Sequence, residues 1–183
     1  MRSLILAGGK STRMGRDKCL IEIGGVACIQ RVAMALAEAG LEPIRISVES
    51  PEHMEEYGRV IDSSLQVEWV VDSFPNAGPI EAILDALTDP FCNNPLQITP
   101  VDVPWLEAEI LVDLENRIGS HAIAMPISSG VLHPLLSLVR PEVAEYIGAD
   151  RRPLRDQFSE INHVLVEVDG RSVKNINRPE DLC

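Results

Sequence analysis

Short apolar runs alternate with amphipathic segments along the whole chain, and this alternation most constrains the fold. The apolar run at residues 4–7 predicts a buried strand over residues 3–7, and a glycine-rich loop follows it. Residues 27–39 carry apolar side chains at three- and four-residue steps, which predicts a helix ending at Gly40. Alternating strands and helices indicate an α/β fold, a Rossmann-like three-layer α/β/α sandwich around a mostly parallel mixed sheet. The same patterns predict strands at 43–48, 66–71, 95–99, 122–125, 135–139 and 163–168, and helices at 80–87, 106–117 and 142–147.

The size and composition of the chain indicate one globular domain. With 183 residues, 45% hydrophobic and 24% charged, the chain can bury one full core, so we expect a single domain over residues 1–183. No apolar stretch approaches the roughly 20 residues of a membrane span, and the first apolar run is too short for a signal peptide. We therefore expect a cytoplasmic protein with no membrane partner. The four cysteines show no metal-binding or redox spacing and are expected to be reduced.

Charge is distributed unevenly. The formal net charge is −12, which argues against nucleic acid as a partner because the overall field repels phosphate backbones. Residues 1–20 nevertheless contain five Lys and Arg side chains against one Asp. This basic segment predicts a small anionic ligand near the N-terminal end of the chain.

The loop that follows the first strand has the composition of a phosphate-binding loop. Glycines allow the backbone N–H groups of Gly8 and Gly9 to approach a phosphate, and Arg13 and Lys18 add positive charge. The glycine spacing matches neither a Walker loop nor the dinucleotide-binding fingerprint. A flexible surface loop with solvated cations is the alternative, but the preceding strand and the density of charge favour a binding function.

Two aspartates come directly after predicted strands. Asp72 follows the strand at 66–71, and Asp102 follows the strand at 95–99. Because ligands of such sheets bind at the carboxyl ends of the strands, we expect both side chains to face the loop at Gly8. Asp102 could instead cap a helix beginning near Trp105, and Asp72 could be a turn residue.

Four segments carry a family resemblance in the same order along the chain. They are Leu6 to Lys18, Asp72 followed by Gly78-Pro79, Thr99 to Pro104, and Lys174 to Leu182 with its Asn-x-Asn-x-Pro-Glu-Asp-Leu pattern. His133-Pro134 also fits. Together these motifs resemble the MobA-like nucleotidyltransferases, and the Ala-Gly-Gly form of the first one resembles the molybdenum cofactor guanylyltransferases in particular.

This resemblance implies a nucleotide-diphospho-sugar transferase type of fold and a specific reaction. The reaction is Mg²⁺-dependent transfer of GMP from GTP to molybdopterin or its molybdenum-loaded form, with release of pyrophosphate. Proteins of molybdenum cofactor synthesis, or acceptor proteins, are the implied partners. The implied roles are nucleotide binding by Leu6, Ala7, Gly8, Gly9, Lys18, Asp72 and Asp102, catalysis by Arg13, Lys18 and Asp102, metal binding by Asp102, and acceptor binding by Asn175 and Asn177.

Two glutamates depart from the family pattern. Glu49 stands where the family commonly has asparagine, and Glu81 stands where it has a small residue. A carboxylate accepts hydrogen bonds from the N1–H and amino groups of guanine, so either could select this base. Two alternatives therefore remain open: a related nucleotidyltransferase that uses CTP or another phosphorylated acceptor, and a nucleotide-binding protein without turnover.

Overall fold

A mixed, mostly parallel β-sheet forms the centre of the computed structural model, which describes residues 2–8, 17–72, 78–147 and 152–182. The strands are β1 (Ser3–Leu6), β2 (Glu22–Ile23), β3 (Val26–Ala27), β4 (Ile44–Val48), β5 (Val67–Val71), β6 (Leu96–Pro100), β7 (Ile123–Ser128), β8 (Val131–Leu132), β9 (Leu138–Val139) and β10 (His163–Glu167). In strand order the sheet runs β10-β7-β9-β6-β1-β4-β5, with β8 paired to β7. Strands β6, β1, β4 and β5 are parallel neighbours, as are β7 and β10. Strand β8 is antiparallel to β7, and β9 is antiparallel to both β6 and β7.

Both faces of the sheet are covered, as alternate residues of the central strand show. Ile5 packs in a cluster with Ile29 and Leu36 on one face, whereas Leu4 packs with Ile83 and Phe158 on the other. Because successive side chains of a strand point to opposite faces, β1 is buried on both sides. The predicted three-layer α/β/α fold is therefore confirmed. The helices are α1 (Cys28–Glu38), α2 (Pro51–Gly58), α3 (Pro79–Leu87), α4 (Ala108–Ile118), α5 (Ala144–Ile147) and α6 (Leu154–Glu160).

The first helix ends as its sequence predicts. Gly40 has a φ of +73°, and its N–H donates to the carbonyl of Ala37. The N–H of Leu41 reaches back to the carbonyl of Leu36. This left-handed turn satisfies carbonyl groups at the end of the helix and favours glycine at its centre.

Some predicted elements differ from the structure. The predicted strand at 135–139 is wrong: Pro134–Leu136 forms a 3₁₀ turn, and only Leu138–Val139 forms a strand. Helix α2 was not predicted, although Ser50 caps it and Pro51 occupies its first turn. Helix α6 and the two-stranded β2–β3 hairpin were also not predicted.

Two further expectations concern membranes and cysteines. None of the helices in the described ranges has the length and apolar character needed to cross a bilayer. Cys19, Cys28 and Cys92 are free and buried, as expected for structural thiols, whereas Cys183 lies outside the described residues. Burial raises the pKa of Cys28 to about 11, so this thiol is protonated at neutral pH.

Candidate active site

An open cavity of about 470 Å³ lies at the carboxyl ends of the four parallel strands β6, β1, β4 and β5. Residues at or just after the end of each of these strands line the cavity, because parallel strands in register present their carboxyl ends at one edge of the sheet. The side chains and backbone around it belong to Leu6, Ala7, Gly8, Asp17, Lys18, Cys19, Ser47, Glu49, Asp72, Gly78, Pro79, Ala82, Pro100, Val101, Asp102 and Leu135.

Gly8 makes a close approach to the acidic end of this cavity. A Cβ atom built at Gly8 would lie 2.9 Å from Oδ2 of Asp72 and 3.5 Å from Cγ of Glu49. The other oxygen of Asp72 accepts a hydrogen bond from the Ser47 hydroxyl. Glycine at position 8 therefore lets the chain after β1 pass beside the Asp72 carboxylate.

The Asp72 carboxylate lies in a surrounding that disfavours its charge. Partial burial, together with the nearby Glu49 and Asp85, raises the pKa of Asp72, although the hydrogen bond from Ser47 acts in the opposite direction. Glu49 lines the same part of the cavity. This end of the cavity is thus rich in hydrogen-bond acceptors and suits a ligand group that carries several N–H or O–H donors.

Lys18 lines the cavity and begins a short 3₁₀ turn, Lys18–Leu20. Asp17 accepts hydrogen bonds from the Cys19 N–H at 2.9 Å and from the Tyr57 hydroxyl at 2.5 Å. The Cys19 thiol points to the carbonyl of Ala7, 3.7 Å away. These contacts tie the turn to α2 and to the end of β1, so the base of the Lys18 side chain has a defined position.

The Lys18 ammonium joins two distant parts of the chain. Its Nζ atom lies 3.1 Å from Oδ2 of Asp102 and 2.8 Å from Oδ1 of Asn177. Both members of the Lys18–Asp102 ion pair are largely buried, with 20% and 17% of their side chains exposed. The cavity therefore holds a cation and a carboxylate in direct contact.

Asp102 has a free acceptor that fits a metal ion. Its Oδ1 atom is buried and has no hydrogen-bond partner within the described part of the chain. The alternative that Asp102 caps a helix is wrong, because α4 begins at Ala108 with Glu107 at its N-cap. Among the residues described, no cluster of three or more His, Cys, Asp and Glu side chains could hold a metal. A hard divalent cation at Asp102 would thus take further oxygen ligands from a bound ligand and from water.

Most of the predicted nucleotide-binding residues lie together. Leu6, Ala7, Gly8, Lys18, Asp72 and Asp102 all line the cavity, whereas Gly9 and Arg13 lie outside the described residues. Asn177 does not line the cavity, but it accepts a hydrogen bond from Lys18, which does. Asn175 is exposed and does not line the cavity, so its acceptor role stays a prediction.

One residue of the site is not indicated by the sequence motifs. Ser47 donates a hydrogen bond to Asp72, and the only signal for it in the sequence is a polar residue inside an apolar strand. Of the two unusual glutamates, Glu49 lines the cavity and Glu81 does not. His133 does not line the cavity, and burial lowers its pKa.

Comparison with known proteins adds an independent line of evidence. Residues 3–163 match the family described as the MobA-like NTP transferase domain. The chain is 30% identical over 179 residues to a "probable molybdenum cofactor guanylyltransferase" of Opitutus terrae, covering 97% of this chain and 84% of that protein. It is 29% identical over 195 residues to the protein of the same name from Natronomonas pharaonis, with 98% and 93% covered.

A solved structure shares the fold. The crystal structure of molybdopterin-guanine dinucleotide biosynthesis protein A from Archaeoglobus fulgidus superposes with a TM-score of 0.76. The match covers 100% of this chain and 95% of that chain at 22% sequence identity. The two proteins therefore share the same fold.

Proposed function

Because the chain belongs to the family of MobA-like NTP transferases, we propose that it transfers GMP from GTP to molybdopterin or its molybdenum-loaded form. The products are molybdopterin guanine dinucleotide and pyrophosphate. The activity is that of a nucleotidyltransferase, the molybdenum cofactor guanylyltransferase. We take residues 1–183 as one nucleotidyltransferase domain that acts in the cytoplasm and encounters proteins of molybdenum cofactor synthesis or acceptor proteins.

One observation of the structure supports this proposal above the others. Gly8 and Lys18 come from one stretch of sequence and Asp72 and Asp102 from two others, yet all four residues line one cavity at the carboxyl edge of the sheet. The cavity has an acceptor-rich end at Asp72 and a cationic group at Lys18. A nucleoside triphosphate has the complementary arrangement, since its base and ribose carry donors and its phosphates carry negative charge.

The proposed reaction needs alignment and charge neutralisation rather than a side-chain nucleophile. An oxygen of the acceptor phosphate attacks the α-phosphorus of GTP, the bond to the bridging oxygen breaks, and pyrophosphate leaves with that electron pair. Both reactants are anions, so positive charge must be held close to the phosphates. Among the described residues that line the cavity, Lys18 supplies this positive charge. We propose that Arg13, which lies outside the described residues, adds to it.

Family membership indicates a requirement for a divalent cation, which we take to be Mg²⁺. Asp102 would hold this ion, which would neutralise charge on the triphosphate. The other residues shape the site or contact the substrates. In our proposal Gly8 leaves room for the backbone beside Asp72, Asp72 accepts hydrogen bonds from the nucleoside, and Asn175 and Asn177 contact the acceptor.

Calorimetric titration with GTP and with CTP in the presence of Mg²⁺ tests the nucleotide assignment. We expect binding of GTP and a clear preference over CTP. A preference for CTP would refute the guanine assignment, and absence of binding by both nucleotides would refute the nucleotidyltransferase assignment.

Turnover distinguishes an enzyme from a protein that only binds nucleotide. Pyrophosphate should be released from GTP when molybdopterin is added, and Asp102→Ala should abolish the release while circular dichroism shows an intact fold. Arg59→Gln is the control, because Arg59, directly after α2, pairs with Glu55 at the exposed surface, and neither residue lines the cavity. Release that persists unchanged in Asp102→Ala would remove Asp102 from the mechanism.

A further inference from the structure

The segment that follows β10 connects the two charged groups of the site. The side chain of Ile176 is only 1% exposed and packs with Ile21 and Cys28, close in sequence to Lys18. The N–H of Ile176 donates to the carbonyl of Asp102 at 2.8 Å. The backbone at residue 176 is thereby anchored to the turn that carries Asp102.

The next residue, Asn177, holds Lys18 with an exposed side chain. Its Oδ1 atom accepts a hydrogen bond from Lys18 Nζ at 2.8 Å. An exposed side chain is not kept in place by packing, so the position of this oxygen depends on the backbone of residues 177 and 178.

Asp181 orders that backbone. Its Oδ2 atom accepts the N–H groups of Asn177 and Arg178, both at 2.8 Å, and its own N–H donates to the carbonyl of Arg178 at 3.0 Å. The two hydrogen bonds to the carboxylate lower the pKa of Asp181, so the group is ionised at neutral pH. Asp181 does not line the cavity, and its described side-chain hydrogen bonds lie within this turn.

We propose that Asp181 is a positioning residue for nucleotide binding: its carboxylate orders the turn at 177–178 so that Asn177 holds the Lys18 ammonium in place at Asp102. This inference rests on the proposed function for its substrate, GTP. The contact itself does not depend on that function, since the hydrogen bonds that lead from Asp181 through Asn177 to Lys18 all lie within the protein.

The reactivity of the Lys18 amine in the nucleotide-free protein tests the contact. Limited acetylation with acetic anhydride, read out by mass spectrometry, should modify Lys18 several-fold faster in Asp181→Ala than in the wild type. Asp181→Asn retains a side-chain oxygen acceptor and should restore a rate near that of the wild type. Asp62→Ala is the matched control, because Asp62 also accepts a backbone N–H, that of Ser64 at 2.8 Å, in an exposed turn away from the cavity.

A local effect has to be separated from general destabilisation. Cys92 is buried, with 5% of its surface exposed, and lies outside the site, so its reaction with a thiol reagent reports unfolding. We expect its reactivity to be the same in all variants. Equal Lys18 acetylation in Asp181→Ala and Asp62→Ala would overturn the proposal, and so would a parallel rise at Cys92.

A double-mutant cycle then tests whether Asp181 acts on nucleotide through Lys18. Asp181→Ala should weaken GTP binding about fivefold in the wild type and less than about twofold in the Lys18→Met background, because residues that act through one another are not additive. Equal losses in both backgrounds would overturn the inference. If the wild type binds no GTP, the proposed function fails, while the acetylation experiment still decides whether Asp181 positions Lys18.

Discussion

Lys18 occupies the carboxylate at which a metal ion would bind, and this predicts competition between the two cations. Lys18 Nζ lies 3.1 Å from Oδ2 of Asp102. Replacing Lys18 by Met keeps most of the aliphatic stem and removes the charge. We therefore expect Lys18→Met to bind a divalent cation more tightly than the wild type when no nucleotide is present, and to bind GTP more weakly.

The size of the effect follows from the environment of the pair. At 3.1 Å the direct attraction is roughly 5 kcal/mol for an effective dielectric constant of about 20, before any desolvation is subtracted. Side chains that are 20% and 17% exposed lose part of this attraction to water, and hydrogen bonds to charged groups contribute a net of about 1.5–3 kcal/mol. Removing the competing ammonium should accordingly raise metal affinity by about tenfold or more.

Titration with Mn²⁺, followed by the electron paramagnetic resonance signal of the free ion, measures this affinity without nucleotide. Arg59→Gln is the control, because it removes the same charge from an exposed pair with Glu55 and so changes the long-range field alone. We expect Arg59→Gln to match the wild type. Metal affinity that is no higher in Lys18→Met than in Arg59→Gln would refute the competition.

Three further predictions concern the acidic end of the cavity. Burial raises the pKa of Asp72 above its ordinary value of 3.8, so the native state binds more protons than the unfolded chain. The free energy of unfolding therefore falls as the pH rises from the ordinary pKa through the raised pKa of Asp72. Asp72→Asn should raise the melting temperature at neutral pH and reduce that dependence, and an unchanged pH profile of thermal melting would contradict the assignment. Gly8→Ala places a Cβ atom 2.9 Å from Asp72 Oδ2 and should weaken GTP binding about tenfold in calorimetry, whereas wild-type affinity would show that the carboxylate moves freely. Glu49→Gln should reduce the preference for GTP over ITP, which lacks the 2-amino donor, while Glu81→Gln should leave it unchanged; the opposite result would assign base selection to Glu81.

Local sequence patterns predict an element correctly where that segment satisfies its own backbone hydrogen bonds. The helix at 27–39 was predicted from apolar spacing and Gly40, and the structure has Cys28–Glu38 with Gly40 in the left-handed conformation. They were insufficient for the strand predicted at 135–139. There Pro134 starts a 3₁₀ turn, and only two residues pair with β6 and β7. A short apolar run can satisfy its backbone groups in either way, and the neighbouring strands decide between them.

The sequence pattern was enough to predict the fold class and the edge of the sheet at which the cavity lies. Alternating strand and helix patterns require a sheet covered on both faces, and the residues after each strand have to lie at its ends. Gly8, Asp72 and Asp102 could be placed at the same edge for that reason, before their contacts were known.

Which of these groups touch depends on how the strands and helices pack together. Lys18 contacts Asp102 and Asn177, which lie 84 and 159 positions further along the chain. No local sequence pattern predicts contacts between residues so far apart. The same holds for Glu49, which lines the cavity, and Glu81, which does not. Strand order and register set these contacts, because they depend on how all layers pack together rather than on the preferences of any one segment.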